Sequence, residues 1–430
     1  MVQISTPRTL LCSLLVIFLL GTMPLYSSPA KLNMPELVNH SIASITRDYW
    51  PTEEWIADSP ENHGIDSGRL EEIERTIDRM EYAIDSVVVV RDGYLVYEYY
   101  GEGWDADDIH MIQSCTKCIT STLVGIAIDQ GLIESVNSRM MDFFSNWTIQ
   151  NVDDRKMDIT IENLLTWTDG MEFHEDDYPY DDPRNDLGQM WVSDDALQYC
   201  LDRPMWNDPG QSWWMNSGTL IILGGIIEIQ SGMSIYDYAH QYLFEPLGID
   251  NVFWSQIGGG AAGGWYHTDG GLYLTARDFA KFGYLMLNNG TWDGEQVVSE
   301  DWVTQATVPR ITTGWGGSYE IMGYQWWYWP SQGIYSAHGH YEQAVYVSPE
   351  HDLVVVFNGN VPDGKFYPAD SLIRDWIIPA IEGEATLPPG FVLVLSGSAI
   401  IIVTIVIATI IIRKRNSGSP TNLALKLVIK

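Results

Sequence analysis

Gln113-Ser114-Cys115-Thr116-Lys117-Cys118-Ile119-Thr120 leads into an apolar run, Ile119 to Ile128, that closes at Gln130-Gly131. The run has helical length, and Gly131 stands where a helix ends on a left-handed glycine. Ser114 then falls in the first turn, with Lys117 one turn later on the same face. A serine hydroxyl is a weak nucleophile and needs a base beside it. A lysine can be that base only where burial or other cations favour its neutral form. A partly buried helix start supplies contact and desolvation together, and the helix N-terminus favours negative charge developing near Ser114. The same spacing also fits a plain helix-start serine followed by a solvated lysine. The rest of the chain has to decide between them.

Both ends of the chain carry apolar runs. Arg8 precedes Thr9 to Leu25, and the small residues Ser27, Ser28 and Ala30 follow. This basic, apolar, small-residue order predicts a secretory signal peptide over 1–30, with an uncleaved anchor as the alternative. Near the other end, Phe391 to Ile412 is free of charge and rich in Ile and Val. It predicts a membrane-spanning helix over 391–412, about 30 Å long. Arg413-Lys414-Arg415 would hold a tail, 413–430, in the cytoplasm. The expected arrangement is a single-pass protein of the cell membrane. A lead segment (31–60), a catalytic-type domain (61–383) and a linker (384–390) would then lie outside.

The chain has 23 Lys+Arg against 57 Asp+Glu, a formal net charge of −34. That balance argues against nucleic acid or an anionic membrane surface as a partner. Asn39-His-Ser41, Asn146-Trp-Thr148 and Asn289-Gly-Thr291 are glycosylation acceptors if the host glycosylates. Once Cys12 is removed with the signal, Cys115, Cys118 and Cys200 remain, an odd number that gives no disulfide framework. Cys115 and Cys118 read as small buried helix residues, because no second Cys or His pair accompanies them.

The pattern between the ends alternates. Asp66-Ser67 cap a helix with apolar residues at Leu70, Ile73, Ile77 and Met80. Asp85 to Val90 and Tyr94 to Tyr100, joined by Arg91-Asp92-Gly93, read as a β-hairpin. Helices are predicted over Ile159 to Met171, Asp194 to Asp202, Ser217 to Ser231 and Ala276 to Leu287. Met171 to Asp186 is dense in acids without the order of a calcium loop, and reads as a solvated flap with no metal. Strands are predicted at Tyr324 to Trp329, Gln343 to Val347 and Leu353 to Phe357. Strands at both ends with helices between them predict an α+β fold: one antiparallel sheet built from distant segments, with a mostly helical insertion.

Several stretches together resemble the serine β-lactamases and penicillin-binding DD-peptidases, and within them the esterase and 6-aminohexanoate-dimer (nylon-oligomer) hydrolase branch. Ser114-Cys-Thr-Lys117 matches the S-x-x-K motif. Ile161 to Met171 resembles "LLTHTSGL", Pro209 to Trp213 resembles "PGTxF", and Asn216-Ser217-Gly218 with Leu223 to Glu228 resembles "YNSG…LLGxIIE". Gly270 to Asp278 resembles "GGLxSTARD", and Ala337-His338-Gly339 stands in the place of the K-T-G strand. Two departures matter. The tyrosine of the second motif, which precedes Asn216, is Met215 here, and methionine cannot relay a proton. The glycine pair expected before Gln343 is Tyr341-Glu342, which should narrow or recharge the edge of the site.

The resemblance implies acyl transfer without a cofactor. Ser114 attacks an ester, amide or peptide carbonyl, with Lys117 accepting its proton. The backbone N–H groups of Ser114 and His340, beyond Gly339, hold the oxyanion. Tyr178, Tyr180, Tyr341, or Lys117 through water, are the candidates to replace the missing tyrosine. His338 and His340 could titrate near neutrality. Trp213, Trp214, Trp326, Trp327 and Trp329 could line an aromatic cleft, or simply fill a large core. The competing class is a surface binding or sensing ectodomain that kept the fold and lost activity at Met215.

Overall fold

The computed structural model describes residues 47–258, 264–361 and 368–383. Helix α1 (Ser67–Met80) buries Leu70, Ile73 and Ile77 on one face, whereas Met80 points to solvent. It leads into strands β1 (Ile84–Arg91) and β2 (Tyr94–Tyr100). Asp92 and Gly93 both take positive φ, 53° and 88°, the conformation that suits a tight hairpin between twisted strands.

Strand β1 reads as a run of valines because both of its faces are covered. Val87 and Val89 face one apolar layer, and Val88 and Val90 the other. Six further strands complete the sheet: β3 (Ile311–Thr312), β4 (Ile321–Met322), β5 (Trp327–Trp329), β6 (Ile334–Gly339), β7 (Gln343–Ser348) and β8 (Leu353–Gly359). All pairs are antiparallel, in the order β3-β4-β5-β6-β7-β8-β1-β2. The last strand therefore pairs with the first, with Val87 opposite Phe357. One face packs against α1 and the helical segment Ala369–Glu382. The other face carries the helical layer, contributed by the chain between β2 and β3. This is the α+β antiparallel architecture that the alternation of elements predicts.

The layer includes α2 (Thr116–Asp129) and α3 (Gly218–Ser231), which pack on each other, and α4 (Ala276–Leu287), which packs on the central strands of the sheet. Every residue of α2 from Thr116 to Ala127 is buried. Gly131 closes it with φ 74°, as the sequence predicts.

Some elements are shorter than their pattern. The predicted helix over Ile159 to Met171 is only Ile161–Leu165. Thr160 and Asn163 form a capping box at its start, and Trp167 ends the run at φ 54°. The predicted strand over Tyr324 to Trp329 shrinks to Trp327–Trp329, because Gln325 takes φ 69°. The segment read as a solvated flap instead runs into a helix at Asp186–Val192, and part of it is core. The signal peptide, linker, membrane helix and tail predicted for 1–30, 384–390, 391–412 and 413–430 lie outside the described residues, as does Asn39. Among the described residues, no single helix is long and apolar enough to cross a membrane.

Candidate active site

Ser114 sits in a 3-10 turn, Gln113–Cys115, that runs directly into α2. Lys117 Nζ donates to Ser114 Oγ at 2.8 Å and to the backbone oxygen of Asp269, also at 2.8 Å. Lys117 is 4% exposed, so its amine is enclosed by protein. A neutral amine in the same place would accept the serine proton along the first contact while keeping the second as donor.

The polar residues of α2 fix this geometry. Thr120 donates to the backbone oxygen of Thr268, Ser121 to that of Tyr324, and Cys118 Sγ to that of Gln325. Burial pushes the thiols of Cys115 and Cys118 well above their ordinary range, which leaves them inert as nucleophiles. Together with Cys200 they are free and buried.

At the end of β6, Gly339 comes against the nucleophile turn. A Cβ there would lie 2.6 Å from the backbone oxygen of Ile112 and 3.0 Å from the backbone nitrogen of Ser114. Only glycine lets the strand end approach this closely. The approach brings the backbone around Gly339 to the Ser114 amide, where an oxyanion pocket needs two donors.

A cavity of about 390 Å³ opens over the pair, with Ser114, Lys117, Met215, Tyr180, Trp327 and Gln343 in its wall. His338, Gly339, His340 and Glu342 also line it. Trp213 and Trp214 line a smaller adjoining recess. Trp326 is fully buried and stacks on Phe282, away from the cavity, while Trp329 packs on the opposite side of the sheet. Tyr341 is partly exposed, with its ring against His340 at 4.1 Å. Asn216 is buried and donates to Asp169 Oδ1 at 3.1 Å. His338 Nε2 pairs with Ser336 Oγ at 2.8 Å, and desolvation holds its imidazole below its ordinary value.

Of the tyrosines named as replacements for the missing one, Tyr180 lines the cavity. Tyr178 lies under the Arg184 guanidinium, 4.0 Å from it. Tyr319, Trp167, Trp315 and Gln325 also line the cavity, and no local pattern marks them as site residues. They come from loops whose approach is set by tertiary packing.

The acidic flap holds the clearest correction. Its composition predicts a solvated Glu175, yet this residue is 2% exposed and accepts from the backbone nitrogen and the hydroxyl of Ser217, at 2.7 and 3.0 Å. Burial raises its carboxyl to about 7, against the pull of nearby Lys117. Asp169 is likewise raised to about 7 by burial, despite its bonds from Met171 and Asn216. Burial also raises Asp269, but His267 and Lys117 overcome this and hold it below its ordinary value. His267 Nε2 lies 3.1 Å from Asp269 Oδ1 without hydrogen-bond alignment, so the contact is electrostatic.

Tyr341 and Glu342, in the place of the expected glycine pair, keep the positive φ that glycine would take, 62° and 75°. The expected recharging of the edge is muted. Glu342 is 5% exposed, its carboxylate accepts from the backbone nitrogen of Ala369, and burial raises it to about 7. Gln113, Trp167 and Gln325, also at the site, have φ between 49° and 69°. Such strain persists where surrounding structure over-determines the backbone, as it does at functional sites.

A serine hydrogen-bonded to a buried lysine at a helix start, beneath the end of an antiparallel strand, is the arrangement of an acyl-transferring serine hydrolase. The chain belongs to the β-lactamase family, whose profile it matches over residues 74–375. It is 27% identical over 323 residues to the 6-aminohexanoate-dimer hydrolase of Paenarthrobacter ureafaciens, covering 69% of this chain and 76% of that one. Its fold is similar to that of a Bacillus anthracis protein described provisionally as a 6-aminohexanoate-dimer hydrolase. That match has a TM-score of 0.62 at 20% identity and covers 80% and 89% of the two chains. A family VIII carboxylesterase matches with a TM-score of 0.58 at 14% identity, over 76% and 98%.

Proposed function

We propose that this chain is a serine hydrolase that forms an acyl-enzyme on Ser114 and acts on esters or small amides and peptides. The observation that carries the reading is the 2.8 Å contact between Lys117 Nζ and Ser114 Oγ in an enclosed site. Lys117 accepts the hydroxyl proton as Ser114 attacks the carbonyl carbon. The amides of Ser114 and His340 receive the oxyanion beside Gly339. The leaving group departs, and water then hydrolyses the acyl-enzyme. The signal-like and span-like segments at the two ends support a single-pass anchor, with the hydrolase domain on the outer side and the tail 413–430 in the cytoplasm.

Met215 lines the cavity where the family tyrosine is expected, and this favours a second reading: a binding or sensing ectodomain that has lost turnover. Labelling with a fluorophosphonate or penicillin probe separates the two. The hydrolase reading expects a covalent adduct on wild type that Ser114→Ala lacks. Equal labelling of both would remove Ser114 from the role, and no labelling of either would favour the binder.

A further inference from the structure

Beside Met215 a recess of about 40 Å³ adjoins the main cavity, lined by Trp213, Trp214, Trp315, Asp176, Asp177 and Met215. Asp176, Met215 and Trp315 line both spaces, so the two adjoin. Trp213 and Trp315 meet almost at a right angle, 85°, with ring centroids 5.1 Å apart, and form a two-walled aromatic corner. Trp214 is pinned by a 2.6 Å bond from its indole nitrogen to the backbone oxygen of Phe173. Trp315 also stacks on Trp327 at 6.0 Å, which carries the aromatic wall toward Ser114.

The charges in the recess are of one sign. Its lining holds two carboxylates and no lysine or arginine. Asp177 is offset by His174, whose Nδ1 lies 2.7 Å away. Asp176 makes no hydrogen bond or ion pair among the described residues. Desolvation and the neighbouring Asp177 raise the Asp176 carboxyl above its ordinary value, and the charge of Lys117 offsets this only in part.

Indole faces attract cations through their quadrupole, and carboxylates do so through charge. An anion would meet two carboxylates, while the cationic groups that act on them, His174 and Lys117, lie outside the lining. The recess has room for about three water-sized groups, the bulk of a methylated ammonium head. The net charge of −34 adds a long-range field that draws cations toward the molecule.

We propose that this recess is a cation subsite that holds an N-methylated or quaternary ammonium group, and so selects cationic esters or amides for attack by Ser114. The substrate part of this statement rests on the hydrolase reading; the binding part stands without it.

The test uses the full chain in detergent, as wild type and as Ser114→Ala. Each is titrated by calorimetry and tryptophan fluorescence with choline, with its neutral isostere 3,3-dimethyl-1-butanol, and with 3,3-dimethylbutyrate. Choline should bind saturably to both proteins, at least tenfold more tightly than the alcohol, with the carboxylate weakest. Asp176→Asn and Trp315→Leu, both at solvent-reached positions, should each weaken choline about tenfold with the melting temperature unchanged. Equal binding of choline and the alcohol would overturn the subsite. So would an unchanged choline affinity in both variants, or no saturable binding of choline. Fluorophosphonate labelling of the same preparation keeps the two readings apart. Labelling without choline binding removes the subsite and leaves the hydrolase standing, and binding without labelling does the reverse.

Discussion

The carboxylate of Glu175 accepts two hydrogen bonds from Ser217, one from its backbone nitrogen at 2.7 Å and one from its hydroxyl at 3.0 Å. Ser217 is the N-cap of α3 and follows Met215-Asn216, so this contact ties the acidic flap to the second motif of the site. The flap also carries Asp176 and Tyr180 into the cavity wall, and Glu175 is its buried anchor.

That anchor gives stability a defined pH dependence. The Glu175 carboxyl rises from an ordinary 4.5 to about 7 in the fold, so the folded state binds the proton more tightly than the unfolded chain. The contribution is fully present below about 4.5 and is lost as pH rises through about 7; it is worth on the order of 3 kcal/mol. Asp169 and Glu342 act in the same direction. Denaturant melts at pH 5, 6 and 7 should therefore show a component that weakens with rising pH. Glu175→Gln should flatten that component, and an unaltered slope in this variant would exclude Glu175 as its source.

Gly339→Ala should damage the reaction more than the fold. The added methyl would press on the Ile112 carbonyl and the Ser114 amide and push β6 away from the nucleophile turn. A displacement of a few tenths of an ångström to an ångström at the oxyanion donors is expected to cost about 10–10²-fold in kcat/KM. Steady-state kinetics on an activated ester, beside a thermal melt, check it. A variant as active as wild type would mean that the oxyanion is held elsewhere.

Met215 should set the ratio of ester to amide cleavage. A tyrosine that assists proton transfer contributes roughly 10²–10⁴-fold. A p-nitrophenolate departs without a proton, whereas an amide nitrogen must be protonated to leave. Activated esters should therefore be turned over, with amides and β-lactams slow or inert. Met215→Tyr should raise amide turnover more than ester turnover. Wild-type cleavage of amides as fast as activated esters would mean that another group has taken over the tyrosine's role, and Tyr180 is the first to mutate, because it lines the cavity.

The proposed orientation has its own readout. Protease added to intact cells should digest the hydrolase domain and leave a protected fragment carrying residues 413–430. Cleavage of the tail with the domain intact would reverse the topology.

The sequence by itself determined the local chemistry and the order of elements. Ser114 and Lys117 are three residues apart, so any helix start brings them together, and Gly131 marks where that helix must end. The β1–β2 hairpin and the capped α1 were legible for the same reason: their signals lie within a few residues of one another. The sequence also showed that Met215 and Tyr341-Glu342 depart from the family pattern.

Only the tertiary structure decided what those departures do. Tyr341 and Glu342 keep the backbone of the glycines they replace, and Glu342 turns its charge onto Ala369, some 27 positions away. Glu175 looked like one more acid of a solvated flap until Ser217, 42 residues on, gave it two donors in the core. The aromatic wall was half visible as tryptophan-rich stretches. Which indoles face the cavity, Trp327 and Trp315 but not Trp326, depends on the turn that Gln325 makes at φ 69° and on strand pairing. Contacts between distant segments are selected by packing and burial of the whole chain, and no local pattern encodes them.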